Sequence, residues 1–314
     1  MKVVATFARA RSESSKVSGP IGLVPTMGSL HDGHLSLIEE ARRECSHVVM
    51  SLYINALQFG DIEDFERYPR DLERDLRLAA SAGADLVFVP EDSTMYPEGD
   101  VSRVSFKGIS EIMEGSFRPG HFEGVGTVVV KLLAGLQPDR AYFGRKDAQQ
   151  LAVVRRLVRD LAFPIRIVGC PTVREKDGLA LSSRNLRLDP KCRESALALS
   201  RGLFEAADLA ESGEIDGPIL ERTAMNVMAD TLGVEPEYAT LADQINAVRI
   251  SHVDRPAFLA VAARIGRVRL IDNIHLELVE RSVVVDRGLR LSHKSVLYDD
   301  AMQQDGSLEN RRVS

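Results

Sequence analysis

The sequence predicts an α/β fold, a parallel sheet with helices on both faces, followed by a smaller α+β C-terminal domain. Short apolar runs alternate with helical patterns through the first half of the chain. Near Ser182 that alternation stops, and two long helical stretches precede a group of short strands. At 314 residues the chain is long enough for both parts.

The first strand is expected over 21–24, an apolar run, with a helix over 35–43 whose apolar positions recur at helical spacing. A second strand is read at 48–54. The charged helix after it sets Leu72, Leu76 and Ala79 on one face and ends near Gly83, a suitable C-terminal cap. The third strand, 85–89, is stopped by Pro90. An apolar helix at 126–136, a strand at 141–143, a helix at 148–161 and a strand at 165–168 complete the pattern. Strands separated by helices of these lengths pair in parallel through right-handed crossovers, a Rossmann-like arrangement. Beyond Asp189 come helices at 190–212 and 217–232, broken by Gly213, then strands near 237–241, 257–264 and 268–278. These readings set the domains at 1–181 and 182–285, with a polar tail over 286–314 expected to be flexible.

Composition narrows the function. A net charge of −6 disfavours a broad nucleic-acid surface, which needs a clustered basic footprint. Three cysteines, Cys45, Cys170 and Cys192, have no disulfide-framework spacing and fit a reducing compartment. The N-terminus lacks the apolar core of a signal peptide, and no apolar segment approaches the roughly 20 residues that span a bilayer. A cytoplasmic protein without membrane or nucleic-acid partners is expected.

The richest stretch is Pro25-Thr26-Met27-Gly28-Ser29-Leu30-His31-Asp32-Gly33-His34, between the first strand and its helix. Free backbone N–H groups and the positive end of the helix dipole make such a junction a seat for phosphate. Two imidazoles three residues apart then suggest nucleotidyl transfer. Zinc is disfavoured: the metalloprotease spacing is four with a Glu beside the first His, and no cysteine pair completes a tetrahedral site. Gly28 and Gly33 do not fit the dinucleotide-binding glycine turn either.

Three other loops lie where a ligand of such a sheet sits, or at the domain boundary. Asn55-Ala56-Leu57-Gln58-Phe59 offers neutral amides for a hydroxyl or carboxylate. Phe143-Gly144-Arg145-Lys146-Asp147, with Gln150 one turn on, offers a point charge for phosphate. Leu181-Ser182-Ser183-Arg184-Asn185 offers hydroxyls and a guanidinium for a polyphosphate.

Together with RYPRDLERD and EGSFRPGHFEGVGTVV, these segments resemble the pantothenate synthetases (pantoate–β-alanine ligases) from about residue 20 to about residue 278, in the family's order. HDGH and LSSRN also resemble the His-x-Gly-His and Lys-Met-Ser-Lys-Ser signatures of adenylate-forming nucleotidyltransferases. The resemblance implies a two-step reaction: pantoate attacks the α-phosphate of Mg-ATP, and β-alanine then attacks the pantoyl adenylate, giving pantothenate and AMP. It implies His34 as the catalytic donor, with His31 and Lys146 assisting. Met27 through His34, Gly144, Arg145, Lys146, Asp147, Val173, Leu181, Ser182, Ser183 and Arg184 are implied to contact ATP. Gln58, Gln150 and Asn55 are implied to hold substrate, Asp75 to lie near magnesium, and the protein to be a homodimer. The chain departs from the family pattern at Ala56, usually Pro, and at Arg145, often Glu. The alternatives are another nucleotidyltransferase of the same signature or a catalytically silent nucleotide-binding regulator.

Overall fold

The protein is described here by a computed structural model covering residues 1–60, 62–280 and 282–299. Its first sheet comprises β1 (Lys2–Val4), β2 (Ile21–Thr26), β3 (His47–Leu52), β4 (Leu86–Phe88), β5 (Arg140–Gly144) and β6 (Arg166–Cys170). They lie in the order β1-β4-β3-β2-β5-β6, every pair parallel. Alternate residues of each strand divide between two cores, as the two-residue period requires. Leu23, Val49, Leu86 and Phe143 face the helices His121–Leu136 and Ala148–Asp160. Val24, Val48, Val87 and Tyr142 face the helices Asp32–Glu44 and Leu72–Ser81. The expected strands and helices are all present, with ends shifted by a few residues.

The differences are local. The helix expected from residue 126 begins at His121, and β1 and the helix Phe7–Ser14 were not foreseen. β1 is a three-residue edge strand, half exposed, too short to show a period. The helix expected over 190–212 breaks at Ala196 into Pro190–Ser195 and Leu197–Glu211.

The second domain carries β8 (Val234–Asp243), β9 (Ala257–Ile265), β10 (Val268–Val279) and β11 (Ser282–Asp286), antiparallel in the order β11-β10-β9-β8. The helices Leu197–Glu211 and Gly217–Ala229 cover one face, burying Leu199, Leu203, Leu220 and Met228 against Leu259, Val261 and Ile274. β10 also docks on the first domain. Asn273 donates from Nδ2 to the carbonyls of Arg145 and Lys146. Arg174 forms a buried bidentate pair with Asp272, at 2.6 and 3.0 Å.

The tail is not frayed where it was expected to be. Past Arg287, β12 (Leu289–Arg290) pairs in parallel with β7 (Val173–Arg174), and Leu297 is buried. Residues 300–314 of that tail lie outside the described residues. No helix among the described residues is long and apolar enough to cross a membrane.

Candidate active site

β2 ends at Thr26, and the chain reverses through Gly28 and Ser29, both at positive φ (87° and 53°), before the helix at Asp32. Asp75, on the facing helix, holds that turn: its carboxylate accepts the N–H groups of Ser29 and Leu30, each at 2.8 Å. A Cβ on Gly28 would lie 2.8 Å from the same carboxylate. Burial pushes the Asp75 carboxyl up, against the lowering effect of the two N–H groups. Each Asp75 oxygen thus accepts one backbone N–H. Among the described residues no three His, Cys, Asp or Glu side chains are grouped to hold a metal.

His31 caps the helix and His34 stands at its third position, the rings 4.1 Å apart. The N–H of Gly33 donates to His31 Nδ1 at 3.2 Å, and the N–H of His31 donates to His34 Nδ1 at 3.3 Å. Each Nδ1 is therefore an acceptor, so in the neutral rings the proton sits on Nε2. Neutrality is enforced. Burial is the largest cause lowering both histidines, with the Lys146 charge adding to it; His34 is pushed down to about 4. The site thus presents two neutral N–H donors beside a helix N-terminus and a lysine.

The cleft above them has about 230 Å³ of internal space and adjoins a second compartment of about 110 Å³. Of the first motif, Pro25, Thr26, Met27, His31, Gly33 and His34 line it. Gly28, Ser29 and Leu30 form the turn beneath, with Leu30 wholly buried in the core. Asp32 turns to the C-terminal segment instead, accepting from Ser295 Oγ, Val296 N and His293 Nε2. Those four residues support the cleft from beneath and behind and do not line it.

The opposite wall carries Gly144, Lys146 and Asp147 from the end of β5, and Val173, Leu181, Ser182, Ser183 and Arg184. Burial alone would raise the Asp147 carboxyl, but the Lys146 ammonium, 3.4 Å away, lowers it on balance. Arg145 does not line the cleft. Its guanidinium pairs with Asp286 of the second domain at 2.9 Å and donates to the Gly169 carbonyl. Arg184 is held by Asp64 at 2.9 Å.

Gln58 and Gln150 border both compartments. Asn55 is buried behind them, receiving the Tyr96 hydroxyl and donating to Gln58 Oε1 and the Gly124 carbonyl. It orients Gln58 from behind and is not among the residues that line the cleft. Sequence reasoning assigned no role to Arg118 and His121. His121 donates from Nδ1 to the Gln58 carbonyl at 2.8 Å and lies 3.2 Å from an Arg118 guanidinium nitrogen. Their signal was the RPGHF segment, which stood out only as part of the resemblance. Tyr53, Val125, Val128, Val129, Leu132 and Phe143 supply an apolar side.

The chain matches known proteins over most of its length. A family model described as pantoate-beta-alanine ligase matches residues 2–275. The chain is 48% identical over 280 residues to the pantothenate synthetase of Moorella thermoacetica, covering 88% of this chain and 99% of that one. A crystal structure of pantothenate synthetase from Thermus thermophilus superposes with a TM-score of 0.82 at 46% identity, covering 87% of this chain and 98% of its own. A pantoate-beta-alanine ligase from Francisella tularensis, complexed with beta-gamma ATP and beta-alanine, gives a TM-score of 0.70 at 34% identity, over 87% of this chain and 97% of its own.

Proposed function

The chain belongs to the pantoate–β-alanine ligase family, and from that premise we propose how its cleft divides the work. The reaction joins pantoate to β-alanine at the expense of ATP, through a pantoyl adenylate, with release of AMP and pyrophosphate. The observation that carries our assignment is the pair of neutral imidazoles, protonated on Nε2, set beside Lys146 at a helix start.

In the first step a pantoate carboxylate oxygen bonds to the α-phosphorus, and the bond to the bridging oxygen of the leaving pyrophosphate breaks. Charge grows on the phosphate oxygens, where His34, His31 and Lys146 stabilise it as donors already in place. Ser182, Ser183 and Arg184 receive the departing pyrophosphate, Arg184 exchanging Asp64 for phosphate oxygens. Magnesium enters as part of the Mg-ATP substrate. Gln58 and Gln150 hold pantoate by neutral hydrogen bonds. In the second step the β-alanine amine bonds to the acyl carbon and AMP leaves. The apolar side from Tyr53 to Leu132 keeps water from the adenylate. The first domain binds ATP and pantoate, and the second closes over them. A cytoplasmic homodimer is the expected form, checked by sedimentation and fractionation.

ATP and pantoate without β-alanine should release about one pyrophosphate per site and then stall, because the adenylate stays bound. Rapid-quench chromatography checks this. Turnover that needs β-alanine before any pyrophosphate appears would sink the two-step assignment.

The pantoate side has its own test. A Cβ on Gly124 would lie 2.4 Å from the Leu57 carbonyl oxygen, so Gly124→Ala must push the 55–58 loop away. Pantoate kcat/KM should fall roughly tenfold, a modest share of the hundredfold that a misplacement of about 1 Å can cost. Steady-state kinetics with ATP saturating reads it out.

A further inference from the structure

Residues 287–299 lie beyond the segment matched by the family model, which ends at 275, yet they close on the nucleotide wall of the cleft. The strap begins where the Arg287 carbonyl accepts from Arg174 Nε. Gly288, at φ 85°, passes so near the Thr172 carbonyl that a Cβ would lie 2.3 Å from its oxygen. Leu289 N and Leu291 N then donate to the carbonyls of Thr172 and Arg174, at 2.7 and 2.9 Å.

Three contacts follow at the tip. Ser295 Oγ and Val296 N donate to the Asp32 carboxylate, in the first turn of the histidine helix. Arg74 donates to the carbonyls of both Val296 and Leu30, joining the strap to the turn below His31. Tyr298 donates to Glu175 at 2.7 Å, and the same Glu175 oxygen accepts from Asn185, which follows the Ser182–Arg184 loop. Between these ties Leu297 packs on Val173 and Leu181, both of which line the cleft.

We infer that Ser295 is a positioning residue for ATP binding, acting through Asp32 to hold the histidine helix start against the wall formed by Val173 and Leu181. The inference rests on the assignment of that wall to the nucleotide. Among the described residues, the hydrogen bonds that tie the strap to the rest of the chain from Leu289 onward go to Asp32, Arg74, Thr172, Arg174 and Glu175 on the nucleotide side, so its effect is selective. Ser295 itself is buried and lies outside the cleft.

The test uses the full chain with Ser295→Ala, Asp32→Asn and the double variant. ATP binding is measured by calorimetry, and KM for each of the three substrates by kinetics. Ser295→Ala should weaken ATP Kd and raise ATP KM about tenfold, the scale of one hydrogen bond to a charged group. KM for pantoate and for β-alanine should stay within about twofold, since no contact reaches them. The double variant should bind ATP no more weakly than Asp32→Asn alone, because both changes cut one link. Unchanged ATP Kd, equal changes in all three KM values, or additive losses in the double variant would each overturn the inference. Calorimetry separates the two layers: ATP binding without adenylate formation in the unaltered chain would refute the reaction assignment, while the Kd series still decides the strap.

Discussion

His34→Ala lowers the rate of pantoyl adenylate formation by about two to three orders of magnitude, the scale for removing one preorganised donor to transition-state charge. The expectation follows from the tautomer. With Nδ1 occupied by the His31 N–H, the ring offers its Nε2 proton, and burial with the nearby Lys146 keeps it neutral at working pH. A neutral donor stabilises charge that develops during the step without attracting the ground-state phosphates as strongly as a cation would. The loss should therefore fall mainly on kcat, with ATP KM changed little. His34→Gln, which keeps a donor, should retain more activity than Ala. Quenched-flow measurement of the adenylate decides it. Near-normal adenylation in His34→Ala would remove the histidine from its role.

Arg174→Met should destabilise the protein by about 3–5 kcal/mol, the cost of leaving a buried carboxylate without its cation. Arg174 is fully buried, bidentate to Asp272, and also bonded to the carbonyls of Gly178 and Asn273. Its guanidinium stands over Phe204 at 5.0 Å. A methionine fills much of the same volume, so little of the loss comes from a void. The remaining carboxylate must then be desolvated alone or take up a proton. Urea unfolding at pH 7 measures the difference. Adding Asp272→Asn should return part of it, because the unpaired charge is gone. A loss under about 1 kcal/mol would mean that the pair is not desolvated as its burial implies.

The sheet was legible because its strands carry unbroken apolar runs such as Leu23-Val24 and Val48-Val49, and each is followed by a patterned helix. β1 was not, since three half-exposed residues have no measurable period. The helix starting at His121 was read five residues late, because Gly124 and Gly126 interrupt its helical signal. Of the expected site residues, several that line the cleft are at chain reversals: His31, His34, Lys146 and Ser182 sit where strand or loop meets a helical turn. The charged side chains that pair away from the cleft share a feature. Asp32, Asp75 and Arg145 are charged residues within ligand-like motifs, but their partners lie far along the sequence. Arg145 meets Asp286, 141 positions away, and Asp75 meets Ser29, 46 positions away. The apolar face of the cleft was hidden for the opposite reason, since Val125, Val128 and Leu132 look the same whether they face a core or a substrate.

Ser295 and Asp32 are separated by 263 positions, nearly the whole chain. Closing so long a loop costs little more entropy than closing a short one, since the penalty grows by only about 0.6 kcal/mol per doubling of length. What the distance changes is timing. Synthesis runs from the N-terminus, so the histidine helix is made long before Ser295 and Val296, which bond to it. A growing chain owns both imidazoles, Lys146 and the whole first sheet long before Asp32 acquires Ser295. The contact therefore waits on synthesis through residue 295: fragments truncated ahead of it carry His31, His34, Lys146 and Ser182 and lack this fastening.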